Sequence, residues 1–187
     1  MYASLIFERT RPVAEELRRQ WPNALIGGTG WTETHTLEDH GIDRLTERSS
    51  EDEINGITSW AYEEEFSIRD GFRWSPDGSA LAYWQFDTSG VSDFTLTNNT
   101  DELYPTLTKI PYPKVGETIS AARIGVVPVS GGETVWTSLP GDPRQTYVPR
   151  MDWAKNSDQL ILQQLNRRQD RNRVYSVDAE SGSVEEV

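Results

Sequence analysis

The sequence predicts a mainly β fold, a partial β-propeller of two blades and part of a third, preceded by a short β-α-β segment. Three observations carry that prediction. After about residue 45, short aromatic and β-branched runs alternate with Pro, Gly, Asn and Asp, and helical periodicity all but disappears. A strand-turn-strand design then occurs twice, opening at Phe72-Arg73-Trp74 and again at Met151-Asp152-Trp153. The residues before that point follow another pattern, with two short apolar runs flanking a helical repeat.

In chain order, Ser4 to Phe7 reads as a strand. Thr10 as cap and Pro12 in the first turn then open a helix in which Val13, Leu17 and Trp21 recur at helical spacing. Pro22 and Asn23 stop it, and Ala24-Leu25-Ile26 forms a second strand running into Gly27-Gly28-Thr29-Gly30. That glycine loop lacks the spacing of a P-loop or a dinucleotide fingerprint, so no cofactor is expected. Residues 1–43 are therefore one segment and residues 44–187 another.

In the second segment, Phe72 to Trp74 leads through the turn Ser75-Pro76-Asp77-Gly78 into a strand over Ala80 to Phe86. Leu81 and Tyr83 lie on one face of that strand and Ala82, Trp84 and Phe86 on the other, which predicts an inner strand. Ala122 to Val129 and Thr134 to Leu139 complete the unit. The second pass runs Met151 to Trp153, Gln159 to Leu165, Arg173 to Val177 and Val184 to Val187, with Trp74 and Trp153 in equivalent places. Residues 87–118 read as a long extended excursion without strands, which predicts a packing role. A propeller closes with about four to eight blades, so two or three imply a piece of a larger ring or a rearranged chain.

Composition narrows the function. The chain has 187 residues, and seven Trp, seven Tyr and five Phe supply a core. Thirty Asp and Glu against eighteen Lys and Arg give a net charge of -12, which repels phosphate backbones, so no nucleic acid partner is expected. Cysteine is absent, which excludes disulfides, thiolate metal sites and a cysteine nucleophile. No metal site is expected. No apolar run is long enough to span a membrane, and the start lacks the basic and apolar regions of a signal peptide.

One acidic cluster stands out: Tyr62-Glu63-Glu64-Glu65-Phe66 places three carboxylates between aromatic residues. It reads either as a solvated charge run or as a cation site, where two carboxylates accept hydrogens from one ammonium. Convergence of neighbouring carboxylates requires a helical turn or an irregular backbone, because a strand would send them to opposite faces.

Trp60-Ala61-Tyr62-Glu63-Glu64-Glu65-Phe66, Asp70-Gly71-Phe72-Arg73-Trp74-Ser75-Pro76-Asp77-Gly78 and Ala82-Tyr83-Trp84-Gln85-Phe86-Asp87 together resemble the propeller domain of dipeptidyl peptidase IV-like prolyl exopeptidases. The resemblance continues through Leu103-Tyr104-Pro105, Ile110-Pro111-Tyr112-Pro113-Lys114-Val115-Gly116 and Arg150-Met151-Asp152-Trp153, over roughly residues 44 to 187. It implies a propeller capping an α/β-hydrolase domain in a serine exopeptidase that releases N-terminal X-Pro or X-Ala dipeptides. By the same resemblance, Glu64 and Glu65 bind the substrate's α-ammonium, with Tyr62 and Glu63 supporting them. The partners implied are a peptide N-terminus and the missing hydrolase domain.

No G-x-S-x-G elbow occurs, and the two histidines, His35 and His40, lie upstream of the resembling region. No Ser-His-Asp triad is evident, so the chain alone is expected to be inactive, with no catalytic residue of its own. Residues about 3 to 42, with Phe7-Glu8 and Gly27-Gly28-Thr29-Gly30-Trp31, are similar to the N-terminal β-α-β region of radical-SAM-type proteins. The cysteines of that group are missing, so its chemistry does not transfer. The competing expectation is a non-catalytic propeller-type binding module that self-associates, a possible homo-oligomer, and binds a protein or basic peptide. A third reading makes the first 43 residues the functional part. Location is left open: the resemblance implies an exported or membrane-tethered parent, and this N-terminus does not encode export.

Overall fold

A computed structural model describes residues 2–4, 25–27 and 45–187. The chain divides into two compact units, Met1–Arg44 and Leu45–Val187. In the first unit, β1 (Tyr2–Ser4) and β2 (Leu25–Gly27) pair in parallel, with Tyr2 opposite Leu25. A parallel pair cannot be joined by a hairpin and needs a crossover connection, as a β-α-β unit has. The expected helix from Thr10, the loop beyond Gly27, and His35 and His40 lie outside the described residues.

The second unit is built from a five-stranded and a four-stranded antiparallel sheet and a hairpin. In the first sheet, β3 (Glu53–Asn55) and β4 (Phe72–Trp74) lie along the same edge of β5 (Ala80–Asp87), and β8 (Ala121–Pro128) and β9 (Val135–Trp136) follow on its other side. β10 (Thr146–Trp153), β11 (Gln159–Asn166), β12 (Asn172–Asp178) and β13 (Val184–Glu186) form the second sheet as a simple meander. These are the two blades, and the fold is a partial β-propeller, mainly β. Asp77 closes the predicted turn of the first blade by accepting hydrogen bonds from the Ser75 and Ser79 hydroxyls and the Ser79 amide, while Gly78 supplies the positive φ of 73°.

The core lies between the sheets. Ala82, Trp84, Phe86 and Ile124 of the first blade pack with Val148, Met151, Leu160 and Leu162 of the second, all buried. Two expectations need correction. Residues 87–118 are not free of strands: β6 (Asp93–Asn98) and β7 (Thr106–Pro111) make an antiparallel hairpin with Phe94 opposite Ile110. Its β-branched Thr95, Thr97, Thr106 and Thr108 favour strand, but both faces are largely exposed, so the apolar alternation that betrays a half-buried strand is missing. The first strand of the second blade begins at Thr146, well before Met151. Pro149 hides its start, since a proline cannot donate to a ladder and the pairing register shifts between Tyr147 and Arg150. Among the described residues, no helix is long and apolar enough to cross a membrane.

Candidate amine-binding site

The acidic cluster is carried on an excursion from one strand edge. Asn55 pairs with Gln85 and Phe72 pairs with Tyr83, so β3 and β4 sit end to end on β5 with only Trp84 between them. Trp84 closes that gap with its own backbone: its carbonyl accepts the Gly56 amide at 3.0 Å and its amide donates to the Gly71 carbonyl at 2.9 Å. Residues 57–70 therefore leave and re-enter the sheet through one neck. The neck is tight. A Cβ on Gly71 would stand 2.5 Å from the Gly56 carbonyl carbon, a separation no side chain tolerates.

Within the excursion, α1 (Trp60–Phe66) starts where the amides of Tyr62 and Glu63 donate to the Ser59 carbonyl and ends at Ser67, which takes the left-handed conformation at φ 56°. Successive residues of a helix are turned by about 100° rather than 180°. The helix supplies the local geometry that a strand denies to adjacent glutamates. Glu63 sits in the first turn, where an acid complements the helix dipole, but Glu64 and Glu65 sit toward the negative end. Both are exposed, and neither makes an ion pair among the described residues. Two acids placed against the dipole, with no ion-pair partner among the described residues, make a negative spot that favours a cation.

Tyr62 is the root of the helix. It is 1% exposed, packs edge-on against Phe86 and Phe66, and its hydroxyl accepts the Val148 amide at 3.0 Å. Burial, which outweighs that hydrogen bond, holds its phenol well above the ordinary tyrosine value. Trp84 Nε1 donates to the Val148 carbonyl at 2.9 Å. The bulge at Pro149 removes Val148 from the ladder with β11, and its amide and carbonyl are taken up by two side chains of the first blade. Arg150 completes the anchorage by donating through Nη1 to the Phe66 carbonyl at 2.9 Å, a cation at the helix C-terminus. Trp60 packs at a tilt against Tyr112, with ring centroids 4.1 Å apart.

Glu65 opens onto a cleft of about 770 Å³, which Trp60, Tyr147, Arg144 and Arg167 also line. Glu64 is not among its walls. Arg144 is neutralised by Asp87, Nη2 to Oδ2 at 2.7 Å, and also donates to the Ile119 carbonyl at 2.8 Å. Partial burial raises the Asp87 pKa, but the Ser89 hydroxyl and amide and the Arg144 guanidinium outweigh it and hold the group below the ordinary aspartate range. Arg167 donates to the Tyr147 hydroxyl and the Glu117 carbonyl. Of the residues expected at the site, the helix thus joins Tyr62, Glu63, Glu64 and Glu65, with Tyr62 buried beneath and Glu63 half-buried. Val148, Arg150 and Arg167 were not anticipated. Pro149 was the available signal for the bulge; nothing near Arg167 in sequence pointed to the cleft.

Residues 34–187 match the family described as "Dipeptidyl peptidase IV (DPP IV) N-terminal region". The chain belongs to that family. The match begins upstream of the boundary read near residue 44. Among curated relatives, the chain is 33% identical over 131 residues to "Inactive dipeptidyl peptidase 10" of Rattus norvegicus, covering 67% of this chain and 16% of that protein. It is 31% identical over 146 residues to "Dipeptidyl peptidase 4" of Trichophyton rubrum, covering 74% and 19%. Among solved structures, it resembles the dipeptidyl peptidase 4 of Porphyromonas gingivalis with a TM-score of 0.70 at 33% identity, over 76% of this chain and 20% of that one. The chain thus spans at most about a fifth of the length of these relatives.

Proposed function

We propose that this chain is the substrate-anchoring part of a dipeptidyl peptidase IV-like serine exopeptidase, in which Glu64 and Glu65 bind the α-ammonium of a peptide and so set the cut after its second residue. The observation that carries the reading is the pair of adjacent, exposed carboxylates on α1, unpaired among the described residues and rooted in both blades through Tyr62. Hydrolysis itself belongs to a separate α/β-hydrolase domain, and X-Pro or X-Ala dipeptides are its expected products. The amine would be held by charge-assisted hydrogen bonds, each contributing roughly 1.5–3 kcal/mol.

The test is the Glu64→Gln, Glu65→Gln double substitution in a full-length enzyme bearing this region, assayed with a Gly-Pro chromogenic amide. Loss of two such bonds lowers kcat/KM by roughly 100-fold or more. Undiminished activity of the double variant removes the assignment.

A second reading has one observation in its favour, since a matched relative is named an inactive dipeptidyl peptidase. In it the region is a propeller-type binding module that self-associates and presents its acidic surface to a protein or basic peptide. Sedimentation at several concentrations separates the two: a defined concentration-dependent oligomer supports the module, and a constant monomer mass argues against it.

A further inference from the structure

Glu65 and Arg167 line one cleft from separate parts of the sequence, α1 and the turn between β11 and β12. Arg167 is half-buried and held in place from several sides. Its guanidinium donates to the Tyr147 hydroxyl and, at 3.1 Å, to the Glu117 carbonyl, and lies over the Tyr147 ring at 5.6 Å. Its own turn is tied by Asn166, whose side chain accepts the Arg171 amide at 3.0 Å and donates to Asp170 at 2.7 Å. Both acceptors of Arg167 are neutral, and no carboxylate pairs with it among the described residues. It lines the cleft as a cation with donors beyond those two bonds, because a guanidinium carries five N–H groups. Arg144, by contrast, is matched to Asp87, and Lys114 is a solvated side chain at the rim. The cleft therefore sets Glu65 and Arg167 on its walls, each without an ion-pair partner among the described residues, alongside Lys114, Glu117 and Asp142.

We propose that Arg167 is a specificity residue that selects peptides whose first residue is acidic. The proposal rests on the reading that Glu64 and Glu65 hold the α-ammonium. With the amine held where Glu65 opens onto the cleft, the side chain of the same first residue extends into it, and a carboxylate there meets the guanidinium in a charge-assisted bond. A neutral side chain of the same size forgoes that charge-assisted bond.

The experiment measures binding of dipeptide amides to the full 187-residue chain by titration calorimetry, using Glu-Pro and Gln-Pro amides, Asp-Pro and Asn-Pro amides, and N-acetylated Gln-Pro amide. The wild-type chain should bind the acidic member of at least one isosteric pair about tenfold more tightly than its amide counterpart. Arg167→Gln should erase that preference, the acidic member losing about tenfold more affinity than its amide counterpart. Equal affinity within both pairs, or a preference that survives Arg167→Gln, overturns the proposal. Binding of Gln-Pro amide that is indifferent to N-acetylation, or intact in the Glu64→Gln, Glu65→Gln variant, overturns instead the amine-anchor reading on which it rests.

Discussion

In the second blade the first strand, β10, runs along β11 from Thr146 to Trp153, broken only by a bulge at Val148 and Pro149. In the first blade the corresponding edge is split into β3 and β4, and the chain between them leaves the sheet to form α1. The correspondence is close: Trp74 is opposite Leu81 as Trp153 is opposite Leu160, and both interruptions fall within a residue of the same place along the neighbouring strand. One blade uses the break to carry glutamates out of the sheet, and the other uses it to free Val148. The two breaks then meet, since Tyr62 and Trp84 take up the amide and carbonyl that the bulge releases. The proposed amine-binding side chains are positioned by an interruption in a regular element, and the orphaned backbone groups of one interruption hold the other in place.

The equivalent tryptophans show the same asymmetry in burial. Trp153 is 9% exposed and donates through Nε1 to the Arg73 carbonyl of the first blade, whereas Trp74 is 53% exposed. This pair gives the largest predicted contrast. Trp153→Ala should destabilise the second unit by about 3–5 kcal/mol and Trp74→Ala by less than about 1 kcal/mol, read by chemical denaturation. Similar losses for both would mean that the seam between the blades contributes little.

A smaller effect probes the meeting of the two breaks. Tyr62→Phe keeps the ring and removes the acceptor of the buried Val148 amide, with an expected cost of about 1–2 kcal/mol. Hydrogen exchange at Val148 should quicken in step; an unchanged rate would show that this bond does not secure the bulge.

The smallest effect is electrostatic. Asp87 of the first blade and Arg144, in the connection to the second, form an ion pair that is partly exposed, worth less than about 1 kcal/mol. The folded-state pKa of Asp87 lies below the unfolded value of about 3.9, so its contribution is complete above that pH and is lost as pH falls through the folded value. Asp87→Asn should therefore be slightly less stable than the parent at neutral pH and converge with it in acid. A stability gap that widened on acidification would contradict the sign of the shift.

Eight of the nine blade strands were legible in sequence, β3 being missed and β10 read only from Met151, because each follows a local pattern of apolar and β-branched residues bounded by turn residues such as Ser-Pro-Asp-Gly, Ser-Gly-Gly or Ser-Gly. The glutamate run was legible as a cluster, and resemblance gave Glu64 and Glu65 a role. The β6–β7 hairpin was missed because a ribbon exposed on both faces has no need of apolar alternation. Composition and spacing by themselves determined a mainly β chain, acidic and without cysteine, with two sheet-forming passes and a conspicuous trio of carboxylates. Tertiary structure alone decided that the trio rides on a helix at a glycine-closed neck, that Tyr62 reaches Val148, and that Glu65 shares a cleft with Arg167. The physical reason is range. Turns and alternation arise between residues a few positions apart, whereas the neck, the bulge and the cleft exist only after β-pairing brings distant segments together and leaves particular backbone groups and charges in search of partners.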